Sequence, residues 1–145
     1  MNNISAQFVK IIIAAVLLIH GLGHIGAIGA LIAIDRGVDG GKWRSARSWL
    51  FPKLAPKVAT MIAIIFWTLS LLGFLAAAFS FWGVIIPGEL WRTLALIFAF
   101  ISFFGITLFW GRWPMFNTLA AQAVNLAVII TQIWMHWPPL DMFGK

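Results

Sequence analysis

The chain has 145 residues, 62% of them apolar and 10% charged, and it contains no cysteine. A soluble domain carries about 45–50% apolar and about 25% charged residues, so this composition excludes a water-exposed globule. The missing cysteines exclude disulfides, thiolate metal sites and thiol nucleophiles. The net charge of +6 would suggest nucleic acid in a soluble chain, but here it points to anionic lipid and membrane topology.

Four stretches contain no Asp, Glu, Lys or Arg: Ile11–Ile34, Val58–Gly88, Thr93–Gly111 and Trp113–Leu140. A hydrocarbon core about 30 Å thick takes roughly 20 apolar residues in helical form, so each stretch holds one span and none holds two. The expected fold is all-α: a single integral membrane domain over residues 1–145, built as an antiparallel four-helix transmembrane bundle. Its helices are expected at about 8–34, 58–82, 92–111 and 115–137, with a loop over 35–57. Tryptophan favours the two membrane–water interfaces and gives an independent check. Trp82, Trp91, Trp134 and Trp137 fall at one set of expected helix ends, and Trp43, Trp49, Trp110 and Trp113 at the other. Only Trp67 is mid-span.

The first helix begins after Lys10 and has small residues around Ala27–Ala30, as a secretory signal would. Signal cores run about 7–15 residues, whereas this stretch continues uncharged to Ile34, so a helix of the mature protein is expected. Its most informative segment is His20-Gly21-Leu22-Gly23-His24. At 1.5 Å per residue the two histidines lie roughly 14 and 20 Å below the membrane boundary near Ile11, close to the midplane. Their spacing of four puts them on one helix face, which Gly23, Ala27 and Ala30 share, so a neighbouring helix or a flat ligand could approach there. Ionisable groups at this depth are costly and face the protein interior, so a partner is expected. One reading makes the imidazoles hydrogen-bonded packing residues. The competing reading makes His20 or His24 the ligand of a haem, a chlorophyll-type pigment or a metal ion, or a contact for a quinone. The zinc-protease pattern is missing its glutamate, because Gly21, Leu22 and Gly23 stand between the histidines. A haem held between two helices is also disfavoured, because His136 is about 10 Å or more off level by helix rise.

Asp-Arg-Gly-Val-Asp-Gly-Gly opens the 35–57 loop as a flexible turn. Lys42, Arg44, Arg47 and Lys53 are then interleaved with Trp43, Trp49, Leu50 and Phe51. Such a segment suits the membrane surface, with rings in the headgroup layer and cations on anionic lipid headgroups. Pro52 and Pro56 end it before the second helix. Arg36, Lys42, Arg44, Arg47, Lys53, Lys57 and Arg112 lie on one side of the expected bundle, against Lys10, Arg92 and Lys145 on the other. This excess puts the loop in the cytoplasm and both termini outside. Nucleic acid is not an expected partner.

On the fourth helix, Thr118, Gln122, Asn125, Gln132 and His136 recur at spacings that confine them to one narrow face. Unpaired amides in hydrocarbon cost several kcal/mol, so the stripe is expected to face the first helix and bond to His20, His24, itself or internal water. It reads as interhelical glue, or as the lining of a small ligand-holding cavity. Asp35, Asp39, Glu89 and Asp141 all fall in loops or at helix ends, so the intramembrane carboxylate on which proton-coupled transporters commonly depend is missing. No Ser–His–Asp set or phosphate loop can be assembled either. The rings of helices two and three, among them Phe66, Trp67, Phe74, Phe98, Phe100, Phe103 and Phe104, suit a lipid- or subunit-facing surface.

Leu17-Leu18-Ile19-His20-Gly21-Leu22-Gly23-His24 and Phe116-Asn117-Thr118-Leu119-Ala120, with Asn125 further on, together carry a resemblance. The chain resembles small four-helix bacterial membrane proteins whose first helix carries His-Gly-Leu-x-His and whose last opens with Gly-Thr-Leu-Ala-Asn. That group is distantly similar to the DoxX-like four-helix family. Asn117 replaces the glycine of the second motif, and the glutamate usual in helix two of DoxX-like proteins is missing between Val58 and Trp82. The resemblance implies the fold more than the function. The expected function is a non-catalytic accessory or structural subunit that packs against other membrane subunits or copies of itself. The alternatives are a histidine-ligated redox or light-harvesting module and a small-solute or lipid transporter.

Overall fold

The computed structural model describes residues 3–139, with side chains described from Ala6 onward. Asp141 and Lys145, used above for charge and orientation, lie outside the described residues. Four long helices account for most of the rest: α1 (Asn3–Asp35), α2 (Pro56–Trp82), α3 (Trp91–Leu108) and α4 (Met115–Ile133). A single 3₁₀ turn, Gly88–Leu90, leads into α3, and no strand occurs among the described residues. Four segments are long and apolar enough to cross a membrane: Ala6–Asp35, Pro56–Trp82, Gly88–Leu108 and Met115–Ile133.

The boundaries follow local chemistry. Proline starts α2 at Pro56 and precedes α4 at Pro114, positions where its missing N–H is no loss because the first helical N–H groups have no intrahelical partner. α2 ends on Gly83 in the left-handed region (φ 69°), with the Gly83 N–H donating to the Ser80 carbonyl and the Val84 N–H to that of Phe79.

Three ends depart from the expected bounds, the first being that of α1, which starts at Asn3 rather than near 8. α3 stops at Leu108 rather than near 111, because the chain tightens through Trp110 N–H to Thr107 O and Arg112 N–H to Phe109 O, with Gly111 at φ 76°. α4 stops at Ile133 rather than 137, where the Trp137 N–H folds back on the Thr131 carbonyl at 2.9 Å. Pro138 and Pro139 disfavour helical backbone at the residues before them, which explains the early exit. His136 is therefore outside the helix, exposed, and at φ 51°.

α1 packs along α2, α2 along α3 and α3 along α4, whereas α1 and α4 meet only over a short stretch. At one end, the Lys10 ammonium lies 5.1 Å from the Trp82 ring, Phe81 packs edge-on against Trp91, and Arg92 donates to the Pro138 carbonyl. At the other end, the 35–57 loop folds over the α3–α4 turn. There Trp49 Nε1 donates to the Thr107 carbonyl at 2.7 Å, the Arg44 N–H donates to the Arg112 carbonyl at 2.8 Å, and Trp43 packs on Trp113. Ala46 and Ser48 are buried beneath this fold, while Lys42, Arg44, Arg47 and Lys53 stay exposed.

The apolar interior divides into two clusters. One joins Leu17, Phe74, Phe81 and Trp91 near the Lys10 end, and the other joins Leu31, Trp67, Ile106, Phe109 and Trp113 near the loop. Small residues on α2 and α3, including Ala59, Ala63, Ala77, Ala95 and Ala99, are buried at helical spacing and let the backbones approach closely. Large rings fill the spaces this leaves. Trp67 and Phe74 are each 0% exposed, which corrects the expectation of a lipid-facing surface for those two; Phe104 at 59% fits it.

Glycine positions mark the tightest approaches. A Cβ on Gly73 would fall 1.8 Å from Cγ of Phe98, and one on Gly21 would meet Phe74 Cβ at 3.1 Å. Gly23 has nothing within 4 Å, so no neighbouring helix uses the approach expected there. Gly73→Ala is expected to destabilise the fold by about 1–3 kcal/mol through overpacking. Gly23→Ala should leave stability unchanged or slightly raised. Denaturant unfolding of both variants in a bilayer mimetic checks this.

Candidate functional site

Between the two apolar clusters lies a belt of polar side chains that the apolar surroundings leave no choice but to pair. His20 and His24, one helical turn apart on α1, are both buried. Their rings stand edge to face with centroids 5.3 Å apart, and Phe74 closes on His20 from α2 at 4.5 Å. From α4, Asn125 (0% exposed) and Gln122 point into the same belt, and from α3 come Ser102 and Thr107.

The hydrogen-bond directions in this belt can be assigned by elimination, starting from one backbone carbonyl. The Phe103 carbonyl can only accept, so the Gln122 amide nitrogen must face it (3.3 Å), and that nitrogen also donates to Thr107 Oγ1 at 2.9 Å. Gln122 Oε1 consequently faces Asn125 and accepts from Nδ2 at 3.2 Å. The second Nδ2 hydrogen of Asn125 goes to Ser102 Oγ at 2.9 Å. Asn125 Oδ1 then remains to accept from His20 Nε2 at 2.9 Å, which puts the proton of His20 on Nε2. Ser102 accepts from Asn125, and among the described residues its one hydrogen has no acceptor other than His24 Nε2, at 3.3 Å; donation there puts the proton of His24 on Nδ1. The two imidazoles thus carry opposite tautomers.

The belt opens sideways. Because α1 and α4 diverge, a cleft of about 350 Å³ runs between them, with His20, Gly23 and His24 in one wall, Ala120 and Val124 in the other, and Trp113 at one end. A second lobe of about 210 Å³ continues along the same pair of helices, lined by Leu17, Ala95, Ala127 and Val128. Val16 and Val124 line both lobes.

The five residues of the expected stripe have different fates. Gln122 and Asn125 join the histidines. Thr118 is buried but its hydroxyl donates back to the Pro114 carbonyl of its own helix start. Gln132 bonds to the Trp137 carbonyl at the end of α4, and His136 lies beyond the helix, so neither enters the belt. Ser102 and Thr107 are the members that the sequence reading omitted. Ser102 continues the buried small-residue face of Ala95 and Ala99, which was the available signal.

Among the described residues no group of three or more His, Cys, Asp or Glu side chains comes together to hold a metal ion. Both Nε2 atoms are engaged with protein, so a tetrapyrrole iron or magnesium would have to displace Asn125 or Ser102 to be ligated through Nε2. No family model, curated protein or solved structure matches the chain.

Asn125 is the hub of the belt. Asn125→Leu is expected to cost about 1–3 kcal/mol by leaving the His20 donor and the Gln122 acceptor unpaired. Gln132→Leu, at the helix end, is expected to change stability by less than about 0.5 kcal/mol. Reversible unfolding of the two variants side by side measures the difference.

Proposed function

We propose that the chain is a multi-pass integral membrane protein of the bacterial cytoplasmic membrane that binds a small lipid-soluble molecule in the cleft between α1 and α4. In this reading the helices form an antiparallel transmembrane bundle. The contacts of Lys10 with Trp82, Phe81 with Trp91 and Arg92 with Pro138 at one end support that arrangement, as does the loop folded over the α3–α4 turn at the other. The exposed apolar side chains, Ile19, Phe104, Phe116 and Leu119 among them, are what lipid contact requires. The basic excess places the 35–57 loop in the cytoplasm, with Lys42, Arg44, Arg47 and Lys53 against anionic headgroups, and both termini outside. The similarity to DoxX-like proteins belongs to the same reading, at the level of fold.

One observation carries the binding role: a buried polar belt, hydrogen-bonded from α3 and α4, presents its two histidine rings to an open cleft. Ionisable groups at mid-helix depth are costly, face the protein interior and mark substrate or ion pathways. The belt is held by α3 and α4 from behind, so the histidines are fixed in place whether or not the cleft is filled, and pre-organisation of this kind favours binding. A role as an accessory subunit, alone or as a homo-oligomer, requires only the outer helix faces and leaves the cleft without a purpose. A histidine-ligated haem or chlorophyll-type pigment is less well supported, because both Nε2 atoms already have partners.

Gly23→Phe and Ala120→Phe place a ring in the cleft from opposite walls at positions that are exposed in the fold. Protein purified gently from its native membrane is expected to carry a small lipid-soluble compound, detected by mass spectrometry of the organic extract. The compound should fall at least about tenfold in both variants while unfolding stability is preserved. An extract identical in wild type and variants would contradict the binding role and favour the accessory subunit. A visible absorbance band lost in His24→Leu would favour the pigment.

A further inference from the structure

The tautomers assigned above determine what the cleft can recognise. With Nε2 of each ring turned toward α3 and α4, the two Nδ1 atoms are the remaining polar atoms of the histidines. Among the described residues neither has a hydrogen-bond partner, and neither is among the side-chain nitrogens sealed inside the protein without one, such as those of Trp67 and Trp113. Both rings line the cleft. His20 therefore offers a lone pair at Nδ1, and His24, one turn along the same helix, offers an N–H at Nδ1. An acceptor and a donor are set side by side on rings 5.3 Å apart.

A single hydroxyl is the smallest group that satisfies both, because it donates one hydrogen bond and accepts another. A ketone, ester or ether oxygen can accept from His24 but leaves His20 Nδ1 unmatched. A carboxylate would repel that lone pair, and no cation in the cleft wall would balance its charge. Elsewhere the cleft wall is mostly apolar, with Asn117 the exception, and Val16 and Val124 also line the second lobe, which is apolar along Leu17, Ala127 and Val128 and carries Thr131 and Gln132 toward the end of α4. At this depth water does not compete for the head group, so the site's own donor and acceptor decide selectivity.

We propose that the cleft takes a single-chain, lipid-soluble alcohol or phenol. Its hydroxyl donates to His20 Nδ1 and accepts from His24 Nδ1–H, and its chain passes between Val16 and Val124 into the second lobe. This rests on the reading of the cleft as a ligand site and adds the chemistry of the head group and the course of the tail.

The test uses the full chain in lipid nanodiscs and compares dodecylphenol with its methyl ether by equilibrium binding. The phenol is expected to bind at least about tenfold more tightly, because methylation removes the donor and leaves the His20 acceptor unmatched. Val124→Trp should weaken dodecylphenol at least about tenfold while leaving pentylphenol nearly unchanged. Equal binding of phenol and ether, abolished by Gly23→Phe, would overturn the hydroxyl recognition and leave the cleft as a ligand site. Binding of neither compound, or binding that ignores Gly23→Phe, would overturn both.

Discussion

In an apolar interior a polar side chain must find a partner within the protein, and the directions of its hydrogen bonds are then no longer free. Six side chains at mid-height of this chain obey that constraint together. The sequence of donations begins where an acceptor is fixed by the backbone, at the Phe103 carbonyl, and each amide orientation forces the next until it reaches the two imidazoles. Fluctuating dipoles would make a poor recognition surface, so the rigidity of this relay matters as much as its energy. Each bond contributes modestly, about 0.6 kcal/mol on average between membrane helices, but their directions are set jointly.

The same belt accounts for the shape of the molecule. α1 is held to α2 by apolar packing on either side of the histidines, with Phe74 against His20 and Leu31 in the cluster that also contains Trp67. It is tied to α4 chiefly through Asn125, and indirectly through Ser102 of α3. A link at one level joins the helices without closing the space above and below it. The gap therefore persists as a two-lobed cleft, with the histidines in the α1 wall and Asn117 and Gln132 among the α4 residues that line it, while the α1–α2 and α2–α3 contacts stay close. Closeness there is maintained by small residues, with Gly73 receiving the Phe98 ring and Gly105 lying against Phe66.

Much of this was legible in the sequence, and the rest was not for identifiable reasons. Charge-free stretches reveal four helices because a charge in hydrocarbon is costly, so the number of helices needed no tertiary information. The pairing of Gln122 and Asn125 with the histidines was legible because a spacing of three keeps two amides on one helix face. His136 continued that face on paper only, because the Pro138–Pro139 pair ends the helix before the periodicity does; Gln132 is still on α4 but its amide turns to the Trp137 carbonyl instead of the belt. Ser102 was passed over because its only signal was the small-residue face of Ala95 and Ala99, which marks close packing and not a polar partner. The rings of α2 and α3 were misjudged in part because lipid and protein interior are equally apolar, so hydropathy does not separate Trp67 and Phe74, which are buried, from Phe104, which is not. Gly21 and Gly23 show the same limit. Both sit between the histidines, yet one receives α2 and the other borders the cleft.

The central claim is that one backbone carbonyl sets the tautomers of both histidines, and nitrogen NMR of histidine-labelled protein in lipid bilayers tests it most directly. The account predicts one ring protonated at Nε2 and one at Nδ1, assigned to His20 and His24 respectively by single substitution of each. Two rings with the same tautomer, or rings protonated at both nitrogens, would contradict it.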